Sequence, residues 1–149
     1  MKLSSRIASS AALLGLVAGA FLAGAPAASA SGTGTACPSD RLCLYFNSNF
    51  QGARADYKYS DAGLGNELFT DGHRGAKGWG VQVNNNAASL INNSGEYIAL
   101  YKSAGCRDGV GYLLAPGAKL NLSDWGARNT ISSFHINDSV CISRDQSWA

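Results

Sequence analysis

The sequence predicts an all-β domain, a sandwich of short antiparallel strands, behind a cleaved export signal. Three observations carry that reading. Beyond the first thirty residues helical periodicity is nearly absent. Gly, Asn, Ser and Asp instead punctuate the chain every few residues, with short apolar alternations between them. All four cysteines, Cys37, Cys43, Cys106 and Cys141, lie in the later part, as in small exported domains stapled by disulfides.

The N-terminus reads as a signal peptide, residues 1–30. Lys2 and Arg6 make a short positive region, an Ala/Leu/Gly/Val-rich run follows to about Leu22, and Ala28-Ser29-Ala30 supplies an A-x-A cleavage site. The competing reading is a membrane span, because the apolar run approaches spanning length. Its dilution with Gly, Ala and Ser and the lack of a following basic cluster favour cleavage after Ala30. Residues 31–36 are a flexible lead-in, and 37–149 form one domain.

Removing the signal also removes the charge excess. The chain has 12 Lys+Arg and 10 Asp+Glu, and the loss of Lys2 and Arg6 leaves ten of each. A formally neutral domain gives no electrostatic reason to expect nucleic acid or an anionic membrane as partner. The expected product is a secreted monomer. Four cysteines allow three pairings; the favoured one is Cys37–Cys43, a local clasp, with Cys106–Cys141 tying the second half to a C-terminal strand. The spacing lacks the two close C-x-x-C pairs of a structural zinc site.

In 41–46, Leu42, Leu44 and Phe46 face one way, and Cys43 and Tyr45 the other. In 96–101, Tyr97, Ala99 and Tyr101 alternate with Ile98 and Leu100. Asn93-Ser94-Gly95 is a turn joining that strand to Ser89–Asn92, since Asn and Gly tolerate positive φ. Asn137-Asp138-Ser139 is a second turn, between Ser133–Ile136 and 140–142. Residues 60–80 hold six glycines and little alternation, and read as a long surface connection, functional or a tolerated insertion.

Two features recur in the same order. Tyr45 is followed by Phe50 and Gly52, and Tyr101 by Cys106 and Gly109. Asn86 and Ser89 precede an apolar residue much as Asn129 and Ser132 do. The first pair is offset by 56 residues (101 minus 45) and the second by 43 (129 minus 86), so the first copy holds the extra length. The shared order points to a duplicated four-stranded unit, motif one about 41–92 and motif two about 96–142.

Tyr-x4-Phe-x-Gly followed by Asn-Asn-x-x-Ser resembles the Greek-key motif of βγ-crystallins. That resemblance implies a βγ-crystallin-like sandwich of two four-stranded motifs, each with an aromatic packed over a hairpin glycine that a Ser-bearing loop braces. The opening Cys37-Pro-Ser-Asp-Arg-Leu-Cys43-Leu-Tyr45 and the later Leu114-Ala-Pro-Gly-Ala-Lys-Leu120 resemble, more specifically, the secreted bacterial metalloproteinase inhibitors built on one such domain. The implied function is inhibition of an extracellular peptidase through a rigid exposed loop, with no chemistry performed. Residues 103–112 are the candidate loop, with Ser103, Ala104, Gly105, Cys106, Arg107 and Asp108 at its centre. This chain departs from the family in one respect: it lacks a second cysteine near Cys106, so no reactive bond carries over. Nor does Arg107-Asp108-Gly109 offer the large apolar residue that a thermolysin-like peptidase favours.

The same resemblance raises calcium. Asn85, Asn86 and Ser89 match the first crystallin calcium pattern except that Leu90 replaces its last serine. Asn129, Ser132 and Ser133 match the second except that Arg128 stands at its first position. Neither set has a carboxylate, and calcium wants six to eight oxygens. The expectation is weak binding or none, so no cofactor is required. Enzyme readings find little support: there are two histidines, His73 and His135, and no H-E-x-x-H, G-x-S-x-G or phosphate-binding glycine motif. The alternative function is a calcium- or glycan-binding, or structural, secreted module. Exposed tryptophans at 79, 125 and 148 would favour a glycan, whereas Trp125 is expected in the core.

Overall fold

Alternation sorts the side chains of the first strand as its sequence requires. In β1 (Leu42–Asn47), Leu42 and Leu44 are fully buried in the main core, while Cys43 and Tyr45 belong to a smaller cluster on the opposite face. The computed structural model describes residues 36–137. Among these, six further strands follow: β2 (Gln51–Tyr57), β3 (Ser89–Asn92), β4 (Ile98–Ser103), β5 (Arg107–Leu114), β6 (Lys119–Asn121) and β7 (Ser133–Ile136). They form two antiparallel sheets, in the orders β2-β1-β3-β6 and β5-β4-β7. The inner faces enclose one core, with Leu44, Leu64, Phe69, Leu90, Ile98, Leu122, Ile131 and Phe134 at zero exposure.

Each half lends a segment to the other half's sheet, as a Greek key does. β6, from the second half, pairs with β3. In return Asp61, from the first, exchanges both backbone hydrogen bonds with Phe134 of β7, at 3.1 and 3.0 Å. This single bridge stands where the second sheet would carry its fourth strand. A 3-10 turn follows each segment, at Leu64–Asn66 and Leu122–Trp125, and buries its leading leucine.

The duplication is visible as reciprocal hydrogen bonds. The Asn85 N–H donates to the Ile131 carbonyl (2.9 Å), and the Asn129 N–H to that of Ala87 (2.8 Å). Asn85 and Asn129 both have positive φ, 57° and 56°. The true offset here is therefore 44 (129 minus 85), one more than the sequence alignment gave, and Ser89 corresponds to Ser133 rather than Ser132. A second correction concerns the hairpin glycine. Gly52 (φ 80°) has its counterpart in Asp108 (φ 56°), not Gly109, at the same offset of 56 that relates Tyr45 to Tyr101. Asp adopts the left-handed conformation more readily than most residues, which hid the match from a search for glycine.

Two other expectations change. Asn93-Ser94-Gly95 does not close a hairpin, because β3 and β4 belong to different sheets; it carries the chain from one sheet to the other. The Asn92 side chain fixes this corner, donating to the Glu96, Leu114 and Ala115 carbonyls and accepting from the N–H and hydroxyl of Ser94. Residues 60–80 are not simply a surface connection either. They include the Asp61 bridge, the buried Leu64 and the fully buried Phe69. The signal peptide, the turn beyond Asn137, the strand at 140–142, Cys141 and Trp148 lie outside the described residues.

Candidate functional site

The candidate loop is a tight hairpin rather than a long excursion. β4 and β5 pair up to Ser103 and Arg107, leaving Ala104, Gly105 and Cys106 as the turn. Backbone chemistry holds its base. The Cys106 N–H donates to the Ser133 hydroxyl (3.1 Å), which itself donates to the Ser103 carbonyl (2.7 Å). The Gly105 N–H donates to the Ala62 carbonyl at 2.6 Å. Cys106 is buried against Tyr101 and is disulfide-bonded, with its partner outside the described residues. Ser103 and Asp108 hydrogen-bond to each other across the turn. Ala104, Arg107 and Asp108 are left exposed, with the Arg107 Nε reaching the Ala104 carbonyl at 3.2 Å.

The first motif builds the same hairpin with different side chains. The Phe50 N–H donates to the Ser89 hydroxyl (2.9 Å), and that hydroxyl to the Asn47 carbonyl (2.6 Å). Phe50 stands edge-on to Tyr45, with ring centroids 6.1 Å apart. Beneath them Cys37 and Cys43 are bonded, the pairing expected from sequence.

The residues considered for calcium are only partly brought together. The Ser132 hydroxyl donates to the Asn85 side-chain oxygen at 3.1 Å, joining the two motifs. Ser89 and Ser133 are each committed to a hairpin, and the Asn86 side-chain amide turns back to the Asn84 carbonyl at 3.0 Å. Among the described residues no three His, Cys, Asp or Glu side chains are grouped to hold a metal ion. Trp79 and Trp125 are half-buried and pack against the main core, which agrees with the expectation for Trp125.

Sequence reasoning missed the ion pair on β2, the edge strand of the first sheet. Arg54 is 5% exposed and lies opposite Tyr45 on the neighbouring strand. Its Nε and Nη2 grip both oxygens of Asp56 at 2.5 and 2.8 Å, and Nη1 donates to the Ala36 carbonyl at 2.6 Å. Burial works against the guanidinium charge, but the hydrogen bond and attraction of Asp56 prevail and raise its pKa. Burial likewise raises the Tyr45 phenol, opposed by Arg54. The i, i+2 spacing of Arg54 and Asp56 was the available signal, since it puts both on one face of a strand.

Also missed was the role of residues 67–83. They fold back along the free edge of β2: Arg54 and Asp71 exchange backbone hydrogen bonds (3.2 and 2.8 Å), and the Ala53 N–H donates to the Lys77 carbonyl (2.8 Å). Covering an edge in this way removes a template for pairing with other chains. Between this segment and β2 lies a cavity of about 410 Å³, lined by Asp56, Tyr57, Asn66, Glu67, Thr70 and Asp71 among others.

Comparison with known proteins fits this construction. A solved βγ-crystallin domain, from a study of the evolution of the eye-lens βγ-crystallin fold, matches at TM-score 0.55 and 15% identity, covering 70% of this chain and 93% of its own. A βγ-crystallin from Ciona intestinalis (21% identity, TM-score 0.49, 65% and 99% covered) and one from an archaeon (19%, 0.47, 64% and 95%) also match, too distantly to add to the argument. No curated protein matches. The model of peptidase inhibitor family I36 matches residues 30–113, more than half of the sequence. On a βγ-crystallin fold, with its two braced hairpins, this chain belongs to peptidase inhibitor family I36.

Proposed function

We propose that the chain is exported and, as a monomer, inhibits an extracellular peptidase by presenting the 103–108 hairpin to its cleft. Family membership supports inhibition and a peptidase partner. The observation that carries the choice of hairpin is the contrast within it. The backbone is fixed at its base by Ser133, by Ala62 and by the disulfide of buried Cys106, while Ala104, Arg107 and Asp108 stand exposed at its tip. A segment already held in shape binds without losing much conformational entropy, and one whose backbone is tied down is a poor substrate for cleavage. Metalloproteinases are the first class to try, given the resemblance of the clasp region. Because Arg107 is the largest exposed side chain at the tip, serine and cysteine peptidases that accept basic residues belong in the same panel. The test is to compare the protein with its Arg107→Ala variant against each inhibited enzyme. Weaker inhibition at an unchanged melting temperature supports the reading; unchanged inhibition moves the contact elsewhere.

We also propose that neither the fold nor inhibition needs calcium. The side-chain oxygens of Ser89, Ser133 and Asn85 already serve the hairpins and the contact between motifs. A melt with and without millimolar calcium tests this, since a ligand bound to the native state must raise the midpoint.

A further inference from the structure

We propose that the C-terminal segment docks on the outer face of the second sheet, residues 138–141 crossing His135, Ala99 and Tyr101 to bond Cys106. A covalent constraint comes first. Cys37 and Cys43 are bonded to each other and Cys106 is also disulfide-bonded, so in a monomer its partner is the remaining cysteine, Cys141. Cys106 is buried with Tyr101, Ala62 and Ala99. Ala99 and Tyr101 alternate along β4 with Ile98 and Leu100 of the main core, so this cluster lies on the outer face. Cys141 has to come to that face.

The edges of β7 leave the segment no course within the sheet. One edge pairs with β4 from Ser133 to Ile136. Along the other, Asp61 exchanges both backbone bonds with Phe134, and the Ser60 hydroxyl accepts the Ile136 N–H at 2.6 Å. A strand at 140–142 therefore has no open edge of β7 to join, and the inner face is the closed core. Asn137, with φ 28°, already turns the chain. The reach agrees with a direct crossing. Ile136 lies opposite Ile98, three residues along β4 from Tyr101 (101 minus 98), a distance of about 10 Å. The four residues from Asn137 to Cys141 (141 minus 137) extend about 13 Å, and a disulfide adds about 5.5 Å between Cα atoms, which leaves little slack for a detour.

Tyr101 supplies an independent observation. It is 3% exposed although it stands on the outer face, and its apolar neighbours among the described residues are Cys106 and two alanines. Its counterpart Tyr45 has Cys37, Cys43, Ile91 and Phe50 about it. A tyrosine buries roughly 150–250 Å², more than three such small side chains cover, and the crossing segment supplies the rest. Both halves then follow one plan: the segment held by Cys37–Cys43 covers the outer face of the first sheet, and the segment held by Cys106–Cys141 covers that of the second. The consequence for inhibition rests on the reading above: the stiffness of the 103–108 hairpin depends on this segment through Cys106.

NMR of the purified, oxidised protein tests the path. Nuclear Overhauser contacts from residues 139–141 to the Ala99 methyl, the His135 ring and the Tyr101 ring are the expected result. Their absence overturns the proposal, and so does an intact mass showing Cys106 bonded to a second copy of the chain. The link to the hairpin is read by amide hydrogen exchange in the variant carrying Cys106→Ala and Cys141→Ala. The amides of residues 105 and 106 should exchange about tenfold faster, while those of β1 and β3 keep their rates. Uniform acceleration, or none, overturns that link; if the variant does not fold, the contacts in the unaltered protein still decide the path. Neither measurement uses an enzyme. Failure to inhibit any peptidase would therefore sink the inhibitory reading and leave this placement standing, and missing contacts would do the reverse.

Discussion

Ser89 and Ser133 perform the same task 44 residues apart (133 minus 89), one in each sheet. Each hydroxyl accepts an N–H from the turn of a neighbouring hairpin and donates to the carbonyl three residues earlier: Phe50 and Asn47 for Ser89, Cys106 and Ser103 for Ser133. Both serines are fully buried. Replacement by alanine leaves a buried donor and acceptor without partners, so Ser89→Ala and Ser133→Ala should each cost about 1–3 kcal/mol. Urea unfolding measures this. If Ser133 is the true counterpart of Ser89, Ser132→Ala, which loses a single part-buried hydrogen bond to the exposed Asn85, should cost less than either.

Gly78 lies directly against Phe46. A Cβ there would fall 2.2 Å from the ring, and the residue has φ +89°, so substitution is opposed by both sterics and backbone. Phe46 cannot swing away freely, because it packs edge-on against the buried Phe69 at 5.7 Å. Gly78→Ala should therefore destabilise by several kcal/mol, roughly the 1–3 of an overpacked core plus the cost of positive φ. Gly75→Ala shares a positive φ but has open space around it. The difference between the two melting temperatures isolates the steric part.

Tyr57 predicts an alkaline limit to stability. Its folded pKa is raised above the ordinary 10.0, burial being the main cause and Glu67 the next. The folded state thus holds a proton that the unfolded chain gives up near pH 10, and stability present below that pH is lost as pH rises above it. Tyr45, raised by burial as well, acts in the same direction. Thermal melts between pH 8 and 11 should show a decline beginning near 10 that is shallower in Tyr57→Phe. At neutral pH that variant should lose little, because its hydroxyl has no partner to lose.

The Cys37–Cys43 bond closes a loop of sequence separation 6. Loop-closure entropy for so short a ring amounts to about 2 kcal/mol. Cys37→Ser with Cys43→Ser should lower stability by about that amount, and a larger loss would show that the clasp also holds Ala36 in place to receive Arg54.

The alternations at β1 and β4 and the punctuation of the chain made the sandwich legible, because aliphatic residues that enter the main core (Leu42, Leu44, Ile98, Leu100) alternate there with Cys, Ala or Tyr on the other face. The Tyr45 and Tyr101 hairpins were legible through a recurring spacing, Tyr45 to Phe50 matching Tyr101 to Cys106. The repeat register was not, because positive φ at Asp108 replaces the expected glycine and the identity of the bracing serine is set by hydrogen bonds rather than by neighbours. Residues 67–83 were opaque for a related reason. Their partner is the edge of β2, and an edge is satisfied by backbone atoms that any sequence supplies. The Arg54–Asp56 pair has the right spacing, but an exposed pair on a solvated strand would have the same spacing, and only packing of the Cys37 segment over it decides burial.

The measurement closest to the central claim is titration of the purified protein against a panel of extracellular metallo-, serine and cysteine peptidases, following residual activity. Inhibition of at least one enzyme at submicromolar protein, with the 103–112 segment left uncut after prolonged incubation, is the predicted result. Full activity of every enzyme at micromolar protein would contradict it.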